Sequence, residues 1–252
     1  MKKFELTNEF VTNSYGVKLF RIRALVEFGN VEAGELGGYV EKESNLGHDD
    51  NAWVCDNARV YGNARVCDNA RVCGDALVCG NARVCDNARV CGDALVCGNA
   101  RVRGDAWVRG DAWVCDNARV YGDARVYDNA RVRGDAQVSG DALVYDNARV
   151  RGNARVCGDA RVCGDALVCG NADFAYAHGF GSEYRTTTFF RLKDGGVGVQ
   201  CGCFYGTLPE FRDKVRETHG ESAIAEEYLG LAALMEKRFR RTGNEQKTEE
   251  ES

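Results

Sequence analysis

The sequence predicts a mainly β protein in which a long parallel β-solenoid carries a smaller unit at each end. The first observation is a six-residue phrase, [Asn/Asp]-Ala-x-Val-x-[Gly/Asp], which runs twenty times without insertion from Asn51 to Gly170. The second is the spacing of Ala and Val, which stand two apart and so point to the same side of an extended segment. The third is a pair of turn-forming residues at every junction, where Gly or Asp meets Asn or Asp. Such short strands, of three residues each, bury a common face only when they coil around an axis and stack on their own copies, which predicts a solenoid.

The phrase resembles the hexapeptide-repeat family, in which a branched aliphatic residue recurs every six positions with a small residue two before it. Val54 with Ala52, and so on to Val168 with Ala166, fit that pattern. The resemblance covers residues 51–170 and implies a triangular, left-handed parallel β-helix with three phrases in each eighteen-residue coil. Twenty phrases would then give between six and seven coils. At a strand spacing of ~4.8 Å this is a prism roughly 30 Å long.

The residue between Ala and Val is expected to face solvent. It is Arg in twelve phrases, Leu in four, Gln in one and Trp in three, namely Trp53, Trp107 and Trp113. We interpret the Arg residues and the Asp residues of the corners as solvated ladders that compensate each other. Asp at the sixth position is always followed by Asn and never by Asp, which indicates avoidance of like charges one strand spacing apart.

Charge and composition exclude several classes of protein. The net charge is −5, and residues 51–170 hold sixteen Arg and fifteen Asp with no Lys or Glu. A general nucleic-acid binder is expected to carry a clear basic excess, so we predict no nucleic-acid partner. No apolar run reaches eighteen residues, and Met1-Lys2-Lys3 does not lead into a signal peptide. These features predict a cytoplasmic protein without a membrane partner.

Eleven of the thirteen cysteines occupy the position just after the Val of the phrase, where other copies have Tyr, Arg or Ser. In the cytoplasm all thirteen cysteines are expected to be thiols. Three phrases per coil would stack two sets of three: Cys55, Cys73 and Cys91, and Cys79, Cys97 and Cys115. The spacing is compatible with disulfides or a soft-metal site, but we favour small stackable side chains at a tolerant corner.

Residues 1–50 are predicted to form an N-terminal β cap. Alternating apolar residues in Lys2–Leu6 and Val17–Leu25 indicate strands, and Asn13–Gly16 and Gly37-Gly38 are expected to form turns. Two or three strands would cover the first coil, whose unpaired edge would otherwise pair with another molecule.

After Gly170 the phrase decays, so the solenoid is expected to end at residue 176, followed by a linker at 177–186 and a small ββαα domain at 187–241. The polar tail at 242–252 is predicted to be disordered. The elements expected in the ββαα domain are a strand at Thr187–Lys193, a strand at Val197–Cys203, a helix opened by Thr207–Glu210 and stopped at Gly220, and a helix from about Ser222 to Phe239.

Both flanks resemble phage- and prophage-encoded repeat proteins. The matching residues are Phe20–Leu25 and Gly34–Gly38 in front, and Cys201–Phe204, Gly206–Leu208 and Thr218–Gly220 behind. The resemblance implies an accessory protein of a mobile element, for example a binder of a host factor or a host-defence protein, and implies no activity.

The search for catalytic chemistry is mostly negative. Hexapeptide-family acyltransferases keep a catalytic His near an inserted loop, and the carbonic anhydrases of that fold hold zinc with three His. All three His of this chain, His48, His178 and His219, lie outside the repeat block, which has no loop. Cys201 and Cys203 with His219 resemble part of a zinc site but lack a second Cys pair, so we favour two cysteines facing a small core. No catalytic residue, metal site or cofactor is predicted.

We therefore expect a non-enzymatic scaffold or protein-interaction protein that binds a protein partner or itself, as a homotrimer or homodimer. The alternative is a divergent acyltransferase that binds acyl-CoA between protomers. The candidate partner-binding residues are Arg103, Trp107, Arg109 and Trp113. The two Arg residues replace the usual Cys or Tyr at corners, and the two Trp residues replace the usual outward Arg. Trp and Arg are enriched at binding hot spots. The competing interpretation is that these rings only cover a facet, for instance beneath the C-terminal unit.

Overall fold

A computed structural model describes residues 2–250, with side chains described as far as Arg241. The strands of the N-terminal cap are β1 (Phe4–Thr12), β2 (Lys18–Ala24) and β3 (Leu36–Val40). The turn expected at Gly37-Gly38 is wrong, because both glycines lie within β3. Each of the twenty phrases then contributes one short strand, as predicted, and each strand has two residues rather than the expected three. These are β4 (Trp53–Val54), β5 (Arg59–Val60), β6 (Arg65–Val66), β7 (Arg71–Val72), β8 (Leu77–Val78), β9 (Arg83–Val84), β10 (Arg89–Val90), β11 (Leu95–Val96), β12 (Arg101–Val102), β13 (Trp107–Val108), β14 (Trp113–Val114), β15 (Arg119–Val120), β16 (Arg125–Val126), β17 (Arg131–Val132), β18 (Gln137–Val138), β19 (Leu143–Val144), β20 (Arg149–Val150), β21 (Arg155–Val156), β22 (Arg161–Val162) and β23 (Leu167–Val168).

The strands stack into three parallel sheets, which confirms three phrases per coil. Trp53 pairs with Arg71 and Val54 with Val72, so each strand meets the strand three phrases further on. Face 1 is the seven-stranded sheet β4-β7-β10-β13-β16-β19-β22. Face 2 contains β5-β8-β11-β14-β17-β20-β23, and face 3 is β6-β9-β12-β15-β18-β21. We call the bends after these faces corners 1, 2 and 3.

The core of the solenoid consists of the Ala and Val residues of the phrase. Every one of them, from Ala52 to Val168, has 0% exposure. Each buried Val contributes about 1.5–3 kcal/mol relative to an exposed one. The Ala and Val side chains are too short to reach across the interior. The stability of each coil therefore depends on packing against the coils above and below it.

Sharp corners require the sixth residue of the phrase to adopt a left-handed backbone. Gly74 has φ of 71° and Asp56 has φ of 55°. A Cβ at Gly74 would lie 2.9 Å from the backbone nitrogen of Gly92 one coil on, so the site favours Gly. Asp is tolerated because it supplies a bond in return: Asp56 Oδ2 accepts a hydrogen bond of 2.9 Å from the Gly74 amide.

The first residue of the phrase forms a ladder of side-chain amides. Asn51 Nδ2 donates to Asn69 Oδ1 at 2.9 Å, Asn69 donates to Asn87 at 3.2 Å, and Asn87 donates to Asp105 at 3.1 Å. The same column continues upward with Asp123, Asp141 and Asp159. The expected avoidance of stacked like charges is therefore wrong for this column. These four carboxylates are exposed, so water screens their repulsion.

The N-terminal cap joins the solenoid directly. Strand β3 pairs in parallel with β5, with Tyr39 opposite Arg59, so the antiparallel strands β1-β2-β3 extend face 2 to ten strands. Trp53 has 0% exposure and its ring meets the Phe28 ring at 5.4 Å. The expectation that Trp53 faces solvent is therefore wrong, because the cap folds over the first rung.

The C-terminal unit has four strands where the sequence predicts two. They are β24 (Phe174–Phe180), β25 (Arg185–Arg191), β26 (Val197–Cys201) and β27 (Phe204–Thr207), followed by α1 (Leu208–His219) and α2 (Ala223–Glu250). The segment 177–186 is the end of one strand, a turn and the start of the next, rather than a linker. Helix α2 runs past the expected end at Phe239. The tail at 242–252, which the sequence predicts to be disordered, lies beyond the described side chains, which end at Arg241. Residues 251 and 252 lie outside the described part of the chain altogether.

The C-terminal unit closes the far end of the prism. Phe190 is fully buried in the same core cluster as the solenoid Val residues. The Arg161 amide donates to Thr188 Oγ1 at 3.0 Å, and Ala166 forms a β-bridge with Leu192. The solenoid therefore has a cap at both ends. Within the described residues, no helix is both long and apolar enough to cross a membrane.

Candidate functional site

The four residues that the sequence singles out lie within one coil. Trp107 is on face 1 in β13, Trp113 is on face 2 in β14, and Arg109 follows β13 at corner 1 between them, as predicted. Arg103 follows β12 at corner 3, on the other side of face 1. The structure thus groups three of the residues along one edge and separates Arg103 from them.

Trp107 is held in a stack of cations. The guanidinium of Arg89, one coil below, lies 5.1 Å from the Trp107 ring, and that of Arg125, one coil above, lies 5.6 Å from it. The pairing of β10, β13 and β16 in register produces this arrangement. Cation–π contacts of this kind contribute about 0.5–1 kcal/mol each at exposed sites, so the ring is held between the two guanidinium groups.

Trp113 is the more accessible ring, with 44% exposure. The Arg131 guanidinium covers it from above at 4.7 Å. Below it, Leu95 pairs in register with Trp113, and Leu77 pairs with Leu95. These three residues form an apolar strip up face 2 between Arg59 and Arg131. The sequence interpretation missed Leu77 and Leu95, although the eighteen-residue coil places Leu77, Leu95 and Trp113 one above another on the same face.

The corners beside the two tryptophans carry their own stacks. Arg109 lies 5.1 Å from the Tyr127 ring, and Tyr127 stacks on Tyr145 at 5.1 Å with 3° between the planes. Burial raises the pKa of Tyr127, assisted by Asp128 and opposed by Arg109. At corner 3, Arg103 lies 5.3 Å from the Tyr121 ring. Planar groups therefore stack at both corners that flank face 1.

We call the surface formed by Leu77, Leu95, Trp107, Arg109 and Trp113 the tryptophan edge. It is an apolar patch rimmed by guanidinium groups, on a backbone that is hydrogen-bonded from rung to rung. The C-terminal unit packs on β22 and β23 at the end of the prism. β14 stands three coils before β23 on face 2. The exposure of Trp113 therefore argues against the interpretation that the C-terminal unit covers the rings.

The Cys and His residues of the C-terminal unit do not form a compact metal-ligand set. Thr187 Oγ1 donates to Cys201 Sγ at 3.1 Å, and Cys201 packs against the small core, as expected. Cys203 is exposed, so its predicted place in that core is wrong. The His219 ring stacks on Tyr228 at 5.8 Å. Cys201, Cys203, His219 and Tyr228 border a cavity of about 270 Å³, where burial raises the pKa of Tyr228 to about 12.

Two groups in the described chain bring three ligand atoms within 4.8 Å of one another: Cys55 with Asp56 and Cys73, and Cys67 with Asp68 and Cys85. Both lie at corners of the first coils. In the first group, Cys55 and Cys73 are joined in a disulfide. The expectation that all thirteen cysteines are thiols is therefore wrong for this pair, because stacking in register brings the two sulfur atoms together.

Comparison with known proteins relates the repeats to one family model. Six stretches of the chain match the family model described as YdcK beta solenoid repeat, at residues 52–68, 64–80, 82–98, 124–140, 136–152 and 154–170. The gap between 98 and 124 contains all four candidate residues. No curated protein matches the chain. The match and the three stacked sheets together identify the chain as a β-solenoid repeat protein whose rungs are similar to the YdcK beta solenoid repeat.

Proposed function

We propose that this β-solenoid is a non-enzymatic scaffold that binds a protein, either a partner or a second copy of itself, through the tryptophan edge. The observation that carries the proposal is the replacement of outward Arg by Trp107 and Trp113 on two adjoining faces at one level of the prism. Contiguous exposed apolar surface with a polar rim marks interaction sites on soluble proteins. Trp and Arg are also the residues most often found at binding hot spots.

The rigidity of the surface supports a binding role. Trp107 lies between two guanidinium groups, and Trp113 lies below one. Side chains that are already ordered lose less entropy on association than mobile ones do, so more of the contact energy remains as affinity. Arg103 stands apart at corner 3, and we assign it a secondary contact at the rim.

The repeat block offers little support for acyl transfer. Residues 51–170 contain no His and no inserted loop, whereas the hexapeptide-family acyltransferases that the repeats resemble keep a catalytic His near such a loop. A thermal-shift titration with acetyl-CoA distinguishes the two functions. The scaffold proposal expects an unchanged melting temperature, and a saturable increase would favour the acyltransferase, because a ligand that binds only the folded state stabilises it.

The resemblance of the flanks supports a setting for this scaffold. We propose a cytoplasmic accessory protein of a phage or prophage, with a host factor or a host-defence protein as the partner class. The near balance of Arg and Asp in the prism fits a protein surface better than a polyanion.

The direct test replaces both rings of the edge. Trp107→Ala with Trp113→Ala is expected to reduce self-association by light scattering, or partner recovery from native host lysate, at least about tenfold. The circular dichroism spectrum should stay unchanged and the melting temperature should fall by only a few degrees, since neither ring belongs to the Ala/Val core. The control, Leu143→Ala with Arg149→Ala, changes the same two faces higher up the prism and should leave binding intact.

Unchanged assembly together with unchanged partner recovery would refute the proposal. A loss of stability far beyond a few cation–π contacts would instead show that the rings are structural.

A further inference from the structure

The corner cysteines are unevenly distributed along the prism. Eight of the eleven have another cysteine one coil away, and all eight lie in the first eleven of the twenty phrases. We call these sets the thiol columns. They are Cys55, Cys73 and Cys91 at corner 1, Cys79, Cys97 and Cys115 at corner 2, and Cys67 and Cys85 at corner 3.

Three pairs within the thiol columns are in sulfur contact. Cys55 and Cys73 form a disulfide, with their Cα atoms 4.7 Å apart. Cys67 Sγ lies 2.9 Å from Cys85 Sγ, and Cys97 Sγ lies 2.6 Å from Cys115 Sγ. Disulfides accommodate Cα separations of about 4.4–6.8 Å. The rung spacing of the parallel sheet therefore already meets this requirement at each pair.

The third cysteine of a column stands in the same relation to the second as the second does to the first. Val72 pairs with Val90 in register, and the Cys73 amide donates to the Val90 carbonyl at 2.9 Å. The backbone thus places Cys91 one rung above Cys73, just as it places Cys73 above Cys55. At the top of this column Arg109 replaces Cys.

We propose that the thiol columns are redox sites in which a disulfide joins two successive coils and, in the two columns of three cysteines, moves along the column by thiol–disulfide exchange. At corner 1, the Cys91 thiolate attacks Cys73 Sγ, the Cys73–Cys91 bond forms, and Cys55 leaves as a thiolate. One sulfur–sulfur bond forms and one breaks, so this step needs no external oxidant. Cys55 and Cys91 are two rungs apart, so Cys73 takes part in either disulfide.

The first disulfide of a reduced column forms at the expense of a small-molecule disulfide such as oxidised glutathione. At corner 2, the Cys115 thiolate attacks that disulfide, giving a mixed disulfide and one glutathione thiolate. The Cys97 thiolate then attacks Cys115 Sγ and releases the second glutathione as a thiolate. Two protein thiols are oxidised, two glutathione thiols are produced, and the two protein protons neutralise them.

The contacts at corner 2 favour this order of attack. The Cys97 thiol donates to Cys115 Sγ, and this hydrogen bond lowers the pKa of Cys115 below its ordinary value. The same hydrogen bond, together with burial, raises the pKa of Cys97. Both side chains are half-buried and so remain accessible to a small disulfide. Cys115 is therefore the better first nucleophile.

The chain supplies its own control residues. Cys157, Cys163 and Cys169 follow Ser139, Tyr145 and Arg151 one coil earlier, so none of them has a thiol neighbour in its column. The folded protein, fully reduced and then equilibrated with oxidised glutathione, is alkylated and mapped by tandem mass spectrometry. Cross-rung disulfides are expected in the thiol columns, whereas the three control cysteines should be recovered as thiols or as glutathione adducts.

Three conservative variants test the movement of the bond. Cys55→Ser should give Cys73–Cys91, Cys91→Ser should give Cys55–Cys73, and Cys73→Ser should leave both partners without an intramolecular disulfide. Circular dichroism checks that each variant is folded. A Cys55–Cys91 disulfide in the Cys73→Ser variant would overturn the proposal. So would disulfides among the control cysteines at the same yield, or columns that stay reduced and bind only a soft metal ion.

Discussion

Asn87 donates its side-chain amide to Asp105 over 3.1 Å, and the amide ladder of that column ends there. A carboxylate has no N–H to pass to the next rung, so Asp105 accepts from below and faces the carboxylate of Asp123 above. The chemistry of a ladder thus changes at a single residue from donated hydrogen bonds to stacked charges.

Asp105→Asn is expected to stabilise the protein. The new amide can still accept from Asn87 and gains the ability to donate to Asp123, and one like-charge contact disappears. The expected gain is roughly 0.3–1 kcal/mol, measured by thermal or denaturant unfolding. The reciprocal variant, Asn87→Asp, places a carboxylate beneath Asp105 and should destabilise. If both variants lowered stability, the hydrogen bonds and charges of this column would not determine the stability of these coils.

Deletion of one whole coil should be tolerated better than deletion of one phrase. Removing Asp75–Gly92 takes out β8, β9 and β10 and leaves every later residue on its face. Removing only Asp75–Gly80 moves everything downstream by one face and breaks the side-chain columns, so its melting temperature should be the lower of the two. Identical stability and oligomeric state for the two deletions would show that the columns do not matter.

Removal of the N-terminal cap should cause association. Deleting residues 1–50 exposes Trp53 and leaves β5 without the pairing that β3 provides. Light scattering should then show a mass that increases with protein concentration. The whole-coil deletion keeps both caps and should scatter like the intact protein. A monodisperse truncated protein of unchanged oligomeric state would remove the capping role from these residues.

Lys3 should make stability depend on pH. Its ammonium group donates to the carbonyl oxygens of Asp49, Asp50 and Ala52. Burial lowers its pKa from 10.5 to about 8, against the opposing charges of Asp50 and Asp49. Between these values the unfolded chain binds more protons than the folded one, so the Lys3 contribution to stability rises with pH from about 8 to 10.5.

The variant Lys3→Met isolates this contribution. It should be less stable overall by about 1–3 kcal/mol, because three carbonyl groups lose their donor. The stability of the natural protein minus that of the variant should increase across the pH window, since all other titrating groups are common to both. A difference that is flat with pH would contradict the lowered pKa.

Most of the solenoid could be predicted from the sequence because its geometry follows from the phrase alone. The eighteen-residue period places Trp107 and Trp113 on adjoining faces, and the same arithmetic reaches Leu77 and Leu95. The caps could not be predicted so well, because their packing is not encoded in the phrase. Trp53 occupies an outward position but is buried by a loop from residues 25–35, and Cys163 is buried by the C-terminal sheet.

The uniform interior of the prism has a consequence for folding. A slip of one phrase, six residues, still places Ala over Ala and Val over Val, so the core hardly distinguishes the correct register from a shifted one. The information that selects the native register lies on the outside, in the amide ladders, the guanidinium–aromatic stacks and the thiol columns, and in the shapes of the two caps. Refolding is therefore a competition between many nearly equivalent alignments, and a disulfide between successive coils such as Cys55–Cys73 would hold one alignment while the other rungs assemble.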